Sequence, residues 1–186
     1  MFIQTEATPN PVTLKFIPGK AVLDSGTRDF RSAEEASGSP LATRLFEING
    51  VTGVFLGSDF ISVTKEEGEW QHLKPSILGV IMEHYMSGAP VVDDGSVGAE
   101  SASEEDFDPA DGEIVDTIKE LLETRVRPAV AQDGGDIVFR RYQEGIVYLH
   151  MQGACAGCPS STATLRHGIE NLLKHFIPEI QEVRPV

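Results

Sequence analysis

The residues best equipped for chemistry are Cys155 and Cys158, the only two cysteines among 186 residues, held at CxxC spacing in Gly153-Ala154-Cys155-Ala156-Gly157-Cys158-Pro159-Ser160-Ser161. Ahead of them, Ile146 to Met151 is rich in β-branched and aromatic residues and predicts a strand. Behind them, Leu165, Ile169, Leu172, Leu173 and Phe176 recur at helical spacing, and Pro159 falls near the first helical position, where its missing N–H costs little. The CxxC therefore sits on a strand-to-helix loop. The positive end of the helix stabilises anions there, so the spacing predicts lowered thiol pKa values and two sulfurs in the form that binds metal. Gly153 and Gly157 allow tight turns and leave no side chain to bar a bulky inorganic group.

Four chemistries are open to such a pair. A structural disulfide ranks lowest, because no secretory signal is read at the N-terminus and two cysteines suit a reducing compartment. Thiol–disulfide exchange is the rival reading, since a CxxC at a helix start is also what a thioredoxin-like oxidoreductase presents. Only 28 residues follow Cys158, enough for one helix and a short strand, Ile180 to Val183, and less than a thioredoxin-like fold places after its motif. Zinc would need further ligands from His150, His167 or His175. Their geometry is poor: His150 precedes Gly153 by three positions on a strand, and the other two lie eight apart on the helix. An iron–sulfur cluster needs four thiolates where one chain offers two. Two chains satisfy it, with a [4Fe-4S] cluster shared across a symmetric homodimer and Cys155 and Cys158 supplied by each subunit. A cluster held this way is exposed and releasable, which suits a carrier rather than an enzyme or an electron-transfer protein. On this reading the chain without cluster is largely monomeric, and loading drives dimerisation.

These cysteines must be positioned by the rest of the chain, whose charge is unevenly spread. The formal net charge is −14, yet residues 93 to 113 alone hold 9 acidic and no basic groups. That stretch, poor in large apolar residues, reads as a flexible spacer. The expected architecture is α+β: a small α/β sandwich domain over 1–92, a flexible acidic linker over 93–110, and a second small α/β sandwich, the cluster-binding domain, over 111–186. With both domains near neutral, no basic stripe supports nucleic-acid binding. No apolar run approaches the roughly 18 residues of a membrane span.

In the first domain Met1 to Glu6 and Thr13 to Ile17 read as strands separated by Thr8-Pro9-Asn10-Pro11. Ser39-Pro40 reads as a helix N-cap followed by proline at the first position, with Leu41, Leu45 and Phe46 on the buried face. Val51 to Lys65 predicts a hairpin turning at Gly57-Ser58-Asp59. Lys74-Pro75 predicts the start of another helix, with Ile77, Leu78, Ile81, Met82 and Tyr85 packed on the sheet and Ser87-Gly88 at its end. His72 and His84 read as structural or solvated, and Trp70 as a core-edge aromatic. In the second domain Ile114, Ile118, Leu121 and Leu122 share one helical face, and Pro128 is expected to interrupt that helix. Asp133-Gly134-Gly135-Asp136 predicts a turn with both glycines at backbone angles closed to other residues, leading into a strand over Ile137 to Tyr142. Turn chemistry accounts for the two aspartates better than metal ligation does. Arg125, Arg127, Arg140 and Arg141 read as surface cations, although one near the loop would offset the charge of a thiolate-ligated cluster.

Several of these blocks carry a resemblance. Thr124-Arg125-Val126-Arg127-Pro128, Asp133-Gly134-Gly135-Asp136-Ile137 and the Gly153 to Ser161 motif, followed by Thr164-Leu165 and Gly168-Ile169-Glu170, resemble the C-terminal cluster-binding domain of the NifU-like family. Met1 to Glu6, Pro9-Asn10-Pro11, Leu14-Lys15-Phe16, Ser39-Pro40-Leu41-Ala42, Val63-Thr64-Lys65 and Trp70 with Lys74-Pro75 are similar to the N-terminal domain of Nfu-type carriers, with Ser62 where threonine is expected. The resemblance implies iron–sulfur cluster assembly and delivery, with Cys155 and Cys158 as ligands. It also implies an upstream cluster-assembly scaffold as donor and apo iron–sulfur proteins as recipients. No transit peptide is read before Glu6, which points to the bacterial cytoplasm; a mature mitochondrial protein would read the same way.

Overall fold

The computed structural model, which describes residues 2–24, 26–93, 106–156 and 159–186, sorts the chain into two units, Met1–Ser101 and Ala102–Val186. Each joins helices to one sheet, the α+β class expected from the sequence. In the first unit, strands β1 (Gln4–Ala7), β2 (Thr13–Ile17), β3 (Arg28–Phe30), β4 (Val51–Leu56) and β5 (Ile61–Lys65) run antiparallel in the order β1-β2-β5-β4-β3. The hairpin of β4 and β5 and the strand over Thr13–Ile17 lie where the sequence put them. The short edge strand β3 has no alternation long enough to announce it and is held by its pairing with β4.

Helix α1 (Pro40–Phe46) starts at Ser39, whose hydroxyl accepts from the Ala42 N–H at 3.1 Å and donates to the Val91 carbonyl. Helix α2 (Trp70–Ser87) begins one turn before the expected Lys74-Pro75 and carries Pro75 inside it. The amide Pro75 lacks would have bonded the carbonyl of Gln71, an exposed residue in the first turn of the helix. Trp70 draws the helix start forward by lodging against the core while its indole N–H donates to the Pro11 carbonyl at 3.2 Å. Leu41, Leu45, Leu73, Ile77 and Ile81 close over Phe16, Val54, Leu56 and Ile61 of the sheet. Met82 faces outward rather than onto the sheet, and His84 is buried, a structural histidine.

The second unit carries the CxxC. Strands β6 (Asp106–Phe107), β7 (Gly135–Gln143), β8 (Ile146–Gly153) and β9 (Glu182–Pro185) lie in that order, β7 and β8 antiparallel and both edge strands parallel to their neighbours. The hairpin turns at Glu144 and Gly145, both at positive φ, the pairing that matches strand twist. The stretch 94–105, the bulk of the expected linker, lies outside the described residues. Asp106 to Ala110 belong to the second unit: Phe107 pairs beside Tyr142 and its ring meets Phe139 edge-on at 6.4 Å. The last strand sits two residues later than expected, at Glu182–Pro185.

Pro128 does not end the helix before it. Helix α3 (Gly112–Leu121) passes through a π turn at Leu122–Val126 directly into α4 (Arg127–Gln132). Ile118, Leu122, Val126 and Val130 are all buried at four-residue spacing. A straight α-helix would drift by about 40° at each such step, and one widened turn returns the stripe to the core. The widened turn also accommodates the N–H that Pro128 lacks. Opposite these residues, Ile169, Leu173 and Ile177, on or just past α5 (Pro159–Phe176), complete the core with Ile137, Val147, Leu149 and Met151. Leu149 is fully buried at the centre of the strand that ends in the motif. Leu149→Ala is expected to lower stability by about 2–5 kcal/mol, read as a fall in the urea midpoint of the second unit's transition with an unchanged slope.

Candidate functional site

Cys155 is placed by two turns that meet at one end of the β7–β8 hairpin. On one side, α4 closes as the Gly134 N–H bonds the Ala131 carbonyl, with Gly134 left-handed at φ 79°. On the other, β8 leaves the sheet at Gly153, φ 61°, and the Cys155 and Ala156 amides turn back to the carbonyls of Gln152 and Gly153 at 3.3 and 3.1 Å. Ladder pairs Gly135↔Gly153 and Asp136↔Gln152 hold the turns in register, and the Ala154 N–H reaches the Gly134 carbonyl at 3.2 Å.

The contact between the turns depends on Gly135. A Cβ there would lie 2.5 Å from the Cys155 sulfur, 2.9 Å from the Gln152 carbonyl oxygen and 3.0 Å from the Cys155 nitrogen. Only a residue without a side chain lets the thiol seat itself here. The two adjacent glycines therefore answer different demands. Gly134 supplies the left-handed angle, as expected, whereas Gly135 has ordinary backbone angles and supplies space.

Cys155 is consequently 7% exposed. Its thiol pKa is pushed up to about 12, first by burial and then by the nearby charges of Asp133 and Asp136. This reverses the lowered value expected from a helix start. The reason is distance and surroundings: Cys155 precedes the first residue of α5 by four positions, beyond the turn over which a helix dipole acts. Burial beside two carboxylates prevails. Cys158 and Gly157 lie outside the described residues.

Asp136 is 3% exposed and is held by Arg127 through a two-pronged contact, Nε to Oδ1 and Nη2 to Oδ2, both 2.9 Å, while Oδ1 also accepts from the Ile137 N–H at 2.9 Å. Arg127 is thus a partly buried counterion rather than a solvated cation, and no sequence pattern announced a pairing across nine residues and two elements. Arg141 pairs with Asp106, and Arg125 stands over the Phe176 ring at 5.2 Å. His150 contacts the Val186 carbonyl through Nδ1 at 3.3 Å, and His167 and His175 are exposed on α5. Among the described residues no three His, Cys, Asp or Glu side chains gather as a preformed metal site.

Three outcomes follow. At pH 8, Cys155 should alkylate with iodoacetamide about a thousandfold more slowly than a thiol of ordinary pKa 9.0, as read by mass spectrometry in Cys158→Ala protein. Because the folded thiol keeps its proton between pH 9 and 12 while the unfolded thiol loses it, this group's share of stability is whole below pH 9 and declines toward pH 12. Gly135→Ala should force the thiol or the turn to shift at a cost of about 1–3 kcal/mol, and should raise the Cys155 alkylation rate; an unchanged rate and melting temperature would show that the turns have slack.

Comparison with known proteins places both units of the chain. Residues 3–88 match the family described as scaffold protein Nfu/NifU N terminal, and residues 118–184 match the NifU-like domain. A Drosophila ananassae protein named NFU1 iron-sulfur cluster scaffold homolog, mitochondrial, is 52% identical over 188 residues, covering 100% of this chain and 64% of that protein. A Homo sapiens protein of the same name is 51% identical, covering 100% of this chain and 72% of that protein. This chain therefore spans about two thirds of the length of these relatives. The solution structure of a NifU-like protein from Saccharomyces cerevisiae aligns with a TM-score of 0.46 and 26% identity over 50% of this chain and 86% of that one. With both domains matched in order, and half of all residues identical to relatives along its whole length, the chain belongs to the Nfu family of scaffold proteins.

Proposed function

We propose that this protein is an iron–sulfur cluster scaffold and carrier, not an enzyme. It receives a [4Fe-4S] cluster from an upstream assembly scaffold, holds it between two copies through Cys155 and Cys158 of each, and delivers it to apo iron–sulfur proteins. The observation that carries this reading is the seat of Cys155, a thiol on a strand-to-helix turn packed against Gly135, in a chain of the Nfu family with one CxxC and no further cysteine. Thiolate is the natural ligand of an iron–sulfur cluster. Two cysteines per chain meet a four-thiolate requirement only in a dimer. Uptake exchanges the thiol proton for iron, so binding and protonation oppose each other.

Thiol–disulfide exchange is the weaker alternative, because the attacking cysteine of such enzymes is a low-pKa, accessible thiolate. Cys155 is buried with its pKa raised. The relatives named above are called mitochondrial, and among the described residues no helix is long and apolar enough to cross a membrane. A reducing compartment, bacterial cytoplasm or mitochondrial interior, suits a chain with two cysteines. The first unit, which has no cysteine, serves recognition of donor or recipient.

Anaerobic reconstitution of the full chain with iron and sulfide tests the reading. The expected product absorbs broadly near roughly 400 nm, carries about four irons per two chains, and runs as a dimer by light scattering where the cluster-free protein runs as a monomer. Cys155→Ala and Cys158→Ala should each abolish uptake. A colourless protein that turns over disulfides would favour the alternative, and a loaded monomer without added thiols would sink the shared site.

A further inference from the structure

We infer that Arg127 is a positioning residue for Cys155: acting through Asp136, it locks the Gly134–Gly135 turn against the motif turn and keeps the thiol sheathed. Three consecutive residues face the motif. Gly134 receives the Ala154 N–H, Gly135 abuts the Cys155 sulfur, and Asp136 lies opposite Gln152 in the ladder. The carboxylate of the third is buried and carries a charge, so the turn is stable only while a cation satisfies it. Arg127 does so with both prongs at 2.9 Å, the planar fork that a lysine cannot reproduce.

The π turn gives this pairing its register. With Leu122–Val126 widened, Val126 stays in the core and Arg127, the next residue, stands at its edge within reach of β7. π turns inserted in α-helices frequently mark functional positions. Here the inserted turn, the arginine, the buried aspartate and the glycine form one continuous chain of contacts that ends on the cysteine sulfur. The consequence for cluster loading, that the sheath must open first, rests on the function proposed above; the control of thiol access does not.

The test uses the full chain in a Cys158→Ala background, which leaves one thiol, and measures iodoacetamide alkylation of Cys155 by intact mass at pH 8 across a urea series. Arg127→Lys is expected to raise the rate without urea by about tenfold, the loss of one charged hydrogen bond, and Arg127→Gln by more. The increase should be flat at low urea, the mark of local opening. Leu173→Ala, a core change away from the turns, sets the control: it should lower stability yet leave the rate without urea at the parent value. Should Arg127→Gln fail to fold, Arg127→Lys keeps the charge and still removes the fork. Arg127 variants that alkylate at the parent rate, or whose rate rises with urea in step with Leu173→Ala, overturn the inference and reduce the pair to ordinary stabilisation. A protein with both cysteines that takes up no cluster would overturn the proposed function and leave the thiol result standing.

Discussion

The second unit depends on the close approach of Gly135 to the Cys155 turn. A single added carbon at 135 would collide with a sulfur, a carbonyl and an amide at 3.0 Å or less, and so the positions of β7, β8 and the entry to α5 are tied to one another at this point. The antiparallel register Gly135↔Gly153 puts two residues without side chains opposite each other. That is a weak place for a sheet to end in packing terms, and it is braced from outside by the Ala154–Gly134 bond and the Arg127–Asp136 pair. Stability at this end comes from polar contacts of defined direction rather than from apolar area. Such contacts are strong when complete and costly when broken.

That construction bears on the chemistry of a carrier. A thiol that is accessible and ionised is also open to oxidation and to binding stray metals. Burial against Gly135 and the charges of Asp133 and Asp136 hold Cys155 protonated, which opposes both. The same forces oppose cluster binding, so any bound cluster is held against a competing closed state, a condition that makes release easier than in a site preformed for its metal. In the function proposed above, the four-thiolate requirement and the two cysteines per chain make the second copy part of the site rather than an accessory.

The first unit presents a contrast. Its core is continuous from β2, β4 and β5 to α1 and α2, and its polar features are of the structural kind: the Ser39 cap, the Trp70 bond to Pro11, a buried His84. Nothing among its described residues gathers ligands or nucleophiles. In the function proposed above, this well-packed domain serves recognition of donor or recipient.

The sequence by itself determined most of the elements and the residues that are candidates for chemistry. Hydrophobic spacing located the β4–β5 hairpin, the α3 face and α5; Ser39-Pro40 marked a helix start; and the CxxC between a strand and a helix singled out Cys155. Each of these rests on interactions among residues near in the chain, which is why local pattern suffices. Tertiary structure decided what distance in the chain conceals. It showed that Gly135 is there for space rather than for backbone angle, because the sulfur it accommodates is 20 positions away. It set the Cys155 pKa high, because desolvation and the Asp133 and Asp136 charges arise from neighbours the motif does not contain. It carried the helix through Pro128 and started α2 before Pro75, because keeping Val126, Val130 and Trp70 against their cores outweighs the local cost of proline. And it paired Arg127 with Asp136, since a buried carboxylate requires a counterion and only the folded chain brings one within reach.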